Sequence, residues 1–159
     1  MIEQFKDDYR WLSNFWLAII IDRQGVVQPA SEYVYQTEKT LKESERIWIS
    51  EARSCGEAKR RGQQVTLRPD WNEIKVSRMM YVSLLKYEQH EDLRRKLVAT
   101  DGHTLIEGNC WNDWFWGAIP YNPNAQGQSG LPLWEGTDCA WAGYNWLGRI
   151  LMMVRDMYK

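Results

Sequence analysis

Ser31-Glu32-Tyr33-Val34-Tyr35-Gln36-Thr37-Glu38-Lys39 is the stretch on which the reading of this chain turns. Serine caps helix starts, and helical periodicity begins directly after Ser31, predicting a helix over about residues 31–42. At about 100° per residue, Gln36 falls about 40° from Glu32, and Lys39 about 20° away on the other side. An acid, an amide and an amine therefore share one stripe, with Tyr35 at its edge and Tyr33 close by. Thr37 and Glu38 take the opposite side, which this reading gives to solvent. A glutamate with a lysine seven residues on is too far apart for a direct helical pair. Spacing alone thus leaves two readings open, a working face and an ordinary solvated one.

The elements around that stretch set the fold. Upstream, Trp16-Leu17-Ala18-Ile19-Ile20-Ile21 is apolar and β-branched, Asp22-Arg23-Gln24-Gly25 is a turn, and Val26-Val27 begins a return strand. Downstream, a second helical piece over about residues 47–53 follows a charged break. Ser54-Cys55-Gly56-Glu57 and Asp70-Trp71-Asn72-Glu73 share capping-box spacing and open helices over about residues 54–61 and 70–87. The longer one carries Ile74, Met79, Met80, Val82, Leu84 and Leu85 as a broad buried set. Residues 91–99 predict a further helix, 105–107 a short extended stretch and 109–117 an irregular aromatic segment. Residues 118–138, AIPYNPNAQGQSGLPLWEGTD, read as one long loop, a kind that is functional or disordered when it occurs in a compact domain. The chain closes on a helix over about residues 144–157 with Leu147, Ile150, Leu151 and Val154 as its core stripe. The expectation is a mainly α, single compact domain over residues 1–159, with about six helices and a small N-terminal β-hairpin.

Bulk properties remove several function classes. With a formal net charge of −1, no global field draws the chain to nucleic acid or membrane, so a nucleic acid substrate would need a local basic patch. No apolar run approaches the about 20 residues of a spanning helix, and the start MIEQFKDDYR lacks the pattern of a signal peptide. A cytoplasmic location follows as an expectation. Cys55, Cys110 and Cys139 are widely spaced, and His90 and His103 stand outside any metal-ligand pattern. The ligand set is therefore poor for a metal. Ten tryptophans stand out; most serve packing, and one or two suit stacking on a base.

A string of short motifs bears on the two readings of the helical face. Tyr9-Arg10-Trp11-Leu12-Ser13-Asn14-Phe15 fits Y-x-x-L-S-N-F, and residues 31–39 fit S-E-[HY]-x-[FY]-Q-x-x-K. Ala58-Lys59 with Gly62, Arg68-Pro69-Asp70-Trp71, the helix end from Met79 to Lys86, and Leu105-Ile106-Glu107 follow in order. Asn112-Asp113 ahead of Trp116-Gly117, and Gly143-x-Asn145-x-Leu147-Gly148, complete the set. In this order they resemble the NADAR family of small N-glycosidases, from about Phe5 to Arg155. The resemblance implies a mainly helical fold and cleavage of an N-glycosidic bond at ribose C1, with no cofactor. It implies two substrate groups, ribosylaminopyrimidine phosphates of riboflavin synthesis and ADP-ribose attached to guanine bases in DNA. One departure touches substrate choice: Trp116-Gly117 is followed by Ala118-Ile119-Pro120, so a family aspartate just after W-G has no counterpart.

Within that resemblance each residue takes a task. Cleavage passes through an oxocarbenium-like C1 that a carboxylate stabilises, while a proton donor assists the departing nitrogen. Glu32 is the first carboxylate and Asp113 the second, held in an aromatic segment whose desolvation would favour its protonated form. The plainer role of Asp113 is to cap its loop, and Glu107 is a weaker candidate. Lys39, desolvated among aromatics, is either a nucleophilic amine that forms a Schiff base at C1 or an ammonium that holds Glu32 or a substrate hydroxyl. Tyr35 and Gln36 position the substrate, Ser13 and Asn14 meet ribose hydroxyls, and Lys59 or Arg68 meets a phosphate. Trp71 stacks on the base or merely packs. Trp116, Gly117, Gly143 and Asn145 border the long loop and supply contacts there. The compact basic cluster Lys59-Arg60-Arg61 is either a solvated helix end or the seat of a DNA strand. The rival to an enzyme is a non-catalytic module that binds ADP-ribose or NAD.

Overall fold

Alternate residues of the first strand, β1 (Leu17–Ile21), point inward: Ala18 and Ile20 are buried, whereas Leu17, Ile19 and Ile21 are exposed. β1 pairs antiparallel with β2 (Val27–Ala30) as the expected hairpin. Asp22 builds the turn, its Oδ1 accepting from the backbone N–H groups of Gln24 and Val26 at 2.9 Å each. The outer edge of β1 is sealed by the side chains of Gln89 and His90. Ile21 exchanges two hydrogen bonds of 2.9 Å with the Gln89 amide, and the His90 ring lies 2.8 Å from the Ile19 carbonyl. Pro29, which has no N–H to offer, interrupts the donor row of β2.

The computed structural model describes residues 1–159 and groups them into two units, Asn14–Arg94 and Met1–Ser13 with Arg95–Lys159. Seven helices, the first a short 3-10 turn at Asp7–Leu12, make up about 43% of the chain. The mainly α fold with an N-terminal hairpin is as the sequence indicates. No helix is long and apolar enough to cross a membrane.

In the Asn14–Arg94 unit the hairpin is followed by α1 (Ser31–Thr37), α2 (Glu43–Ser50), α3 (Cys55–Gly62) and α4 (Trp71–Gln89). Three expectations are corrected here. α1 stops at Thr37 rather than near residue 42, because the Lys39 carbonyl is taken by the Arg68 N–H at 2.8 Å and Thr40 bonds to Glu45. Thr37 and Glu38 are buried, not solvated, since α1 packs against β1, β2, α2, α3 and α4. Thr37 Oγ1 donates to the Val34 carbonyl, and Glu38 pairs with Arg78 at 3.5 Å. The charged break before residue 47 is instead the first turn of α2, where Glu43 and Glu45 suit the positive end of the helix.

Capping follows the sequence at one site and departs from it at two. Ser54 Oγ accepts from the Glu57 N–H at 3.2 Å, and Glu57 reaches back to the Arg53 N–H at 2.9 Å. Asp70 has the same spacing but makes no cap, its carboxylate being held by Arg68 at 2.6 and 3.0 Å. Ser31 is the first helical residue rather than the cap, and its buried hydroxyl has no hydrogen-bond partner. α4 buries Trp71, Met79, Val82, Ser83, Lys86 and Tyr87, while Ile74, Met80, Leu84 and Leu85 stay partly exposed.

α5 (Glu91–Ala99) carries the chain into the other unit, which closes on α6 (Trp146–Met157) with Leu147, Ile150, Leu151 and Val154 buried as expected. The stretch 118–138 is not one uninterrupted loop. Two-residue strands β3 (Ile119–Pro120) and β4 (Leu133–Trp134) flank β5 (Trp141–Ala142) in an antiparallel sheet ordered β3-β5-β4. Strands so short leave no periodic signal. Glu3 fastens the N-terminal segment to this region by accepting from the Thr137 N–H and the Trp141 indole at 2.6 and 3.0 Å.

Candidate functional site

Asn14, Glu32, Tyr35, Gln36, Lys39, Lys59, Arg68 and Trp71 lie in the Asn14–Arg94 unit; Ser13, Asp113, Trp116, Gly117 and Asn145 lie in the other. The first group centres on α1. Its opening turn is anchored by the Glu32 N–H donating to the Asn14 carbonyl at 3.1 Å, and the Asn14 amide reaches Met79 Sδ at 3.1 Å. Glu32 and Gln36 are one helical turn apart, and Gln36 Nε2 donates to Glu32 Oε1 at 2.7 Å. They are 6% and 2% exposed, so an acidic side chain sits in a largely water-free setting with a fixed donor on one oxygen.

Lys39 lies just past the end of α1, in a turn closed by its own N–H to the Gln36 carbonyl at 3.2 Å and by the Arg68 N–H to its carbonyl. Two backbone ties therefore fix a residue that helical continuation does not. Burial holds the Lys39 ammonium below the usual lysine range; the Glu32 carboxylate opposes that shift, and the like charge of Lys59 adds to it. Lys39 Nζ stands 5.7 Å from the Tyr35 ring centre, and Tyr35 packs tilted on Trp71 at 5.3 Å. Burial first, then the Glu32 charge, pushes the Cys55 thiol up, which disfavours its thiolate form.

Several assigned tasks change on sight of the geometry. Trp71 is buried against Tyr35, which fits packing rather than an open stacking face. The Arg68 guanidinium is engaged by Asp70, so a phosphate there would compete with that pair. The basic cluster does not act as three free cations. Arg61 binds Glu57 at 2.6 Å and also the Trp48 carbonyl, leaving Lys59 and Arg60 exposed and Lys59 Nζ 5.9 Å from the Phe15 ring. No group of three or more His, Cys, Asp or Glu side chains comes together to hold a metal ion.

In the other unit Asp113 caps its loop: its Oδ1 accepts from the Phe115 and Trp116 N–H groups at 3.2 and 2.9 Å. Asn145 is fully buried, accepting from the Glu107 N–H at 3.0 Å and donating to the Leu105 carbonyl at 2.9 Å. Its side chain serves the backbone of the 105–107 stretch. Gly117 is pressed on the Glu107 carbonyl, where a Cβ would come within 2.2 Å. Asn109, which the sequence reading missed, organises the segment. It donates to the Asp113 and Ala118 carbonyls at 2.7 and 3.1 Å and accepts from the Asp113 N–H at 3.0 Å. Asn109→Ala strips the Asp113 carbonyl and N–H of this partner, while the Ala118 carbonyl keeps the residue-109 N–H at 2.9 Å, and it should cost about 1–3 kcal/mol in denaturant unfolding; a loss under about 0.5 kcal/mol would refute this hub role.

A buried acid with a fixed amide donor, and a lysine in the adjoining turn whose proton affinity burial lowers, form one cluster at α1. Residues 2–159 match the NADAR domain family, and the chain belongs to that family. The N-glycosidase YbiA of Escherichia coli (strain K12) is 37% identical over 113 residues, which are 70% of this chain and 69% of that protein. The riboflavin biosynthesis protein VVA0006 of Vibrio vulnificus (strain YJ016) is 30% identical over 152 residues, 94% of this chain but only 36% of that longer protein. The NMR structure of E. coli YbiA superimposes with a TM-score of 0.73, covering 99% of this chain and 86% of that one, at 30% identity. The lower identity to YbiA belongs to the alignment that takes in nearly the whole chain, so the remainder is less alike than the 113-residue match.

Proposed function

We propose that this chain is an N-glycosidase that hydrolyses the bond between ribose C1 and a base nitrogen without a metal. The substrate is a nucleotide-sugar type molecule, either ADP-ribose on a guanine base of DNA or a ribosylaminopyrimidine phosphate. The observation that carries the reading is Glu32, 6% exposed and held by Gln36 at 2.7 Å, with the charge of Lys39 acting on it and burial making that ammonium a readier proton donor. Such a carboxylate is positioned to stabilise positive charge at C1 or to activate water, and its setting strengthens either effect. Relatives named as N-glycosidases support the reaction class, and one named for riboflavin biosynthesis supports the aminopyrimidine arm.

The test is release of the sugar. Guanine-ADP-ribosylated DNA and, separately, the aminopyrimidine intermediates are incubated with the protein in the presence of EDTA. Free ADP-ribose or ribose phosphate should appear from one of them. Binding of ADP-ribose without release from either would favour the non-catalytic reader and overturn the enzyme reading.

A further inference from the structure

α1 and α3 approach so closely at one point that only a glycine fits. A Cβ on Gly62 would meet three atoms of the Gln36 side chain, Oε1 at 2.0 Å, Cδ at 2.8 Å and Cβ at 2.9 Å. Side-chain carbons do not tolerate such separations, so any residue with a Cβ at position 62 must displace Gln36. The backbone does not ask for glycine here, because Gly62 is not among the positive-φ residues and closes α3. Glycine weakens a helix, so the space is what its presence serves. The Gln36 amide is also polarised by its surroundings. Nε2 donates to Glu32, while the buried Oε1 has no hydrogen-bond partner and rests against Gly62. Turned end for end, the amide would set an acceptor against the Glu32 carboxylate and lose its one strong bond.

We infer that Gly62 is a positioning residue: it forms the floor that holds the Gln36 amide, and through it the Glu32 carboxylate, in working orientation. Its kinetic consequence rests on the N-glycosidase reading; its structural consequence does not. In Gly62→Ala the Gln36 side-chain amide resonances should move toward those of an unbonded glutamine. On the active substrate kcat should fall about 100-fold, as for other sub-ångström to ångström misplacements, with KM changed about twofold or less. In the Gln36→Ala background, which removes the two nearest obstructing atoms and leaves only the Cβ at 2.9 Å, Gly62→Ala should cost far less, about fivefold or less further. Unchanged Gln36 resonances in folded Gly62→Ala would overturn the inference, as would an equal kinetic loss in both backgrounds. If Gly62→Ala fails to fold, restoration of the fold by Gln36→Ala supports the inference and continued failure overturns it. Absence of activity on every substrate would count against the N-glycosidase reading alone, with the amide resonances still deciding Gly62.

Discussion

Glu32→Gln should lower kcat by roughly 100- to 10,000-fold, the range expected when a positioned acid–base or charge-stabilising group is lost, while leaving the fold intact. The substitution keeps shape and retains an acceptor for the Gln36 amide, which in the native protein donates to Glu32 Oε1 at 2.7 Å. What it removes is the negative charge, from a side chain only 6% exposed. Burying a carboxylate is unfavourable for folding, so the variant should unfold at the same denaturant concentration or a higher one. Activity is thus lost with no loss of stability, which a merely structural glutamate would not produce. Glu32→Ala differs, because it strands the buried Gln36 donor and should lose stability as well. Glu32→Gln retaining more than half the native kcat would remove Glu32 from the chemistry.

Much of this site was legible in residues 31–39, and the reason is physical. The relation of Glu32 to Gln36 is one helical turn, and helical geometry alone brings them together. Lys39 was legible only as a neighbour. Its predicted place on the same helical face depended on a helix that in fact ends at Thr37, and what holds it is a hydrogen bond from Arg68. A tie between residues so far apart in sequence leaves no periodic mark. The same holds for Thr37 and Glu38, whose polarity suggested solvent although packing on every side of α1 buries them.

Gly62 and Asn109 show two other limits. Gly62 stands in the sequence as one small residue at a helix end, yet its reason lies in an interhelical distance that no single helix encodes. Asn109 is one asparagine in an irregular segment, and its hydrogen bonds to the Asp113 and Ala118 backbones exist only after the segment folds back. The long helices α4 and α6 were recoverable because apolar periodicity extends over several turns. The pairs of residues that form β3, β4 and β5 were not, since any apolar dipeptide looks the same.

Lys39 is where the two chemical routes part, and its expected behaviour separates them. In the imine route the ribose ring opens as O4 takes a proton, and neutral Lys39 Nζ adds to C1. The C1–N bond to the base then breaks as that nitrogen gains a proton, leaving a C1–Nζ Schiff base that water hydrolyses to the free sugar. Borohydride would reduce that Schiff base and fix the sugar on Lys39. Because burial lowers the affinity of Lys39 for its proton, the free amine is available at lower pH than for an ordinary lysine. Trapping should therefore rise with pH through this lowered pKa. Lys59→Gln removes a like charge that helps to expel the proton, so it should shift the rise to higher pH. Lys39→Arg keeps a cation that cannot be deprotonated, and in the imine route it should lose at least about 1,000-fold in kcat together with all trapping. Should Lys39→Arg keep most of the activity, or native enzyme yield no adduct during turnover, the amine does not attack C1. Lys39 would then act as an ammonium beside Glu32, and hydrolysis would proceed by direct attack of water on the sugar.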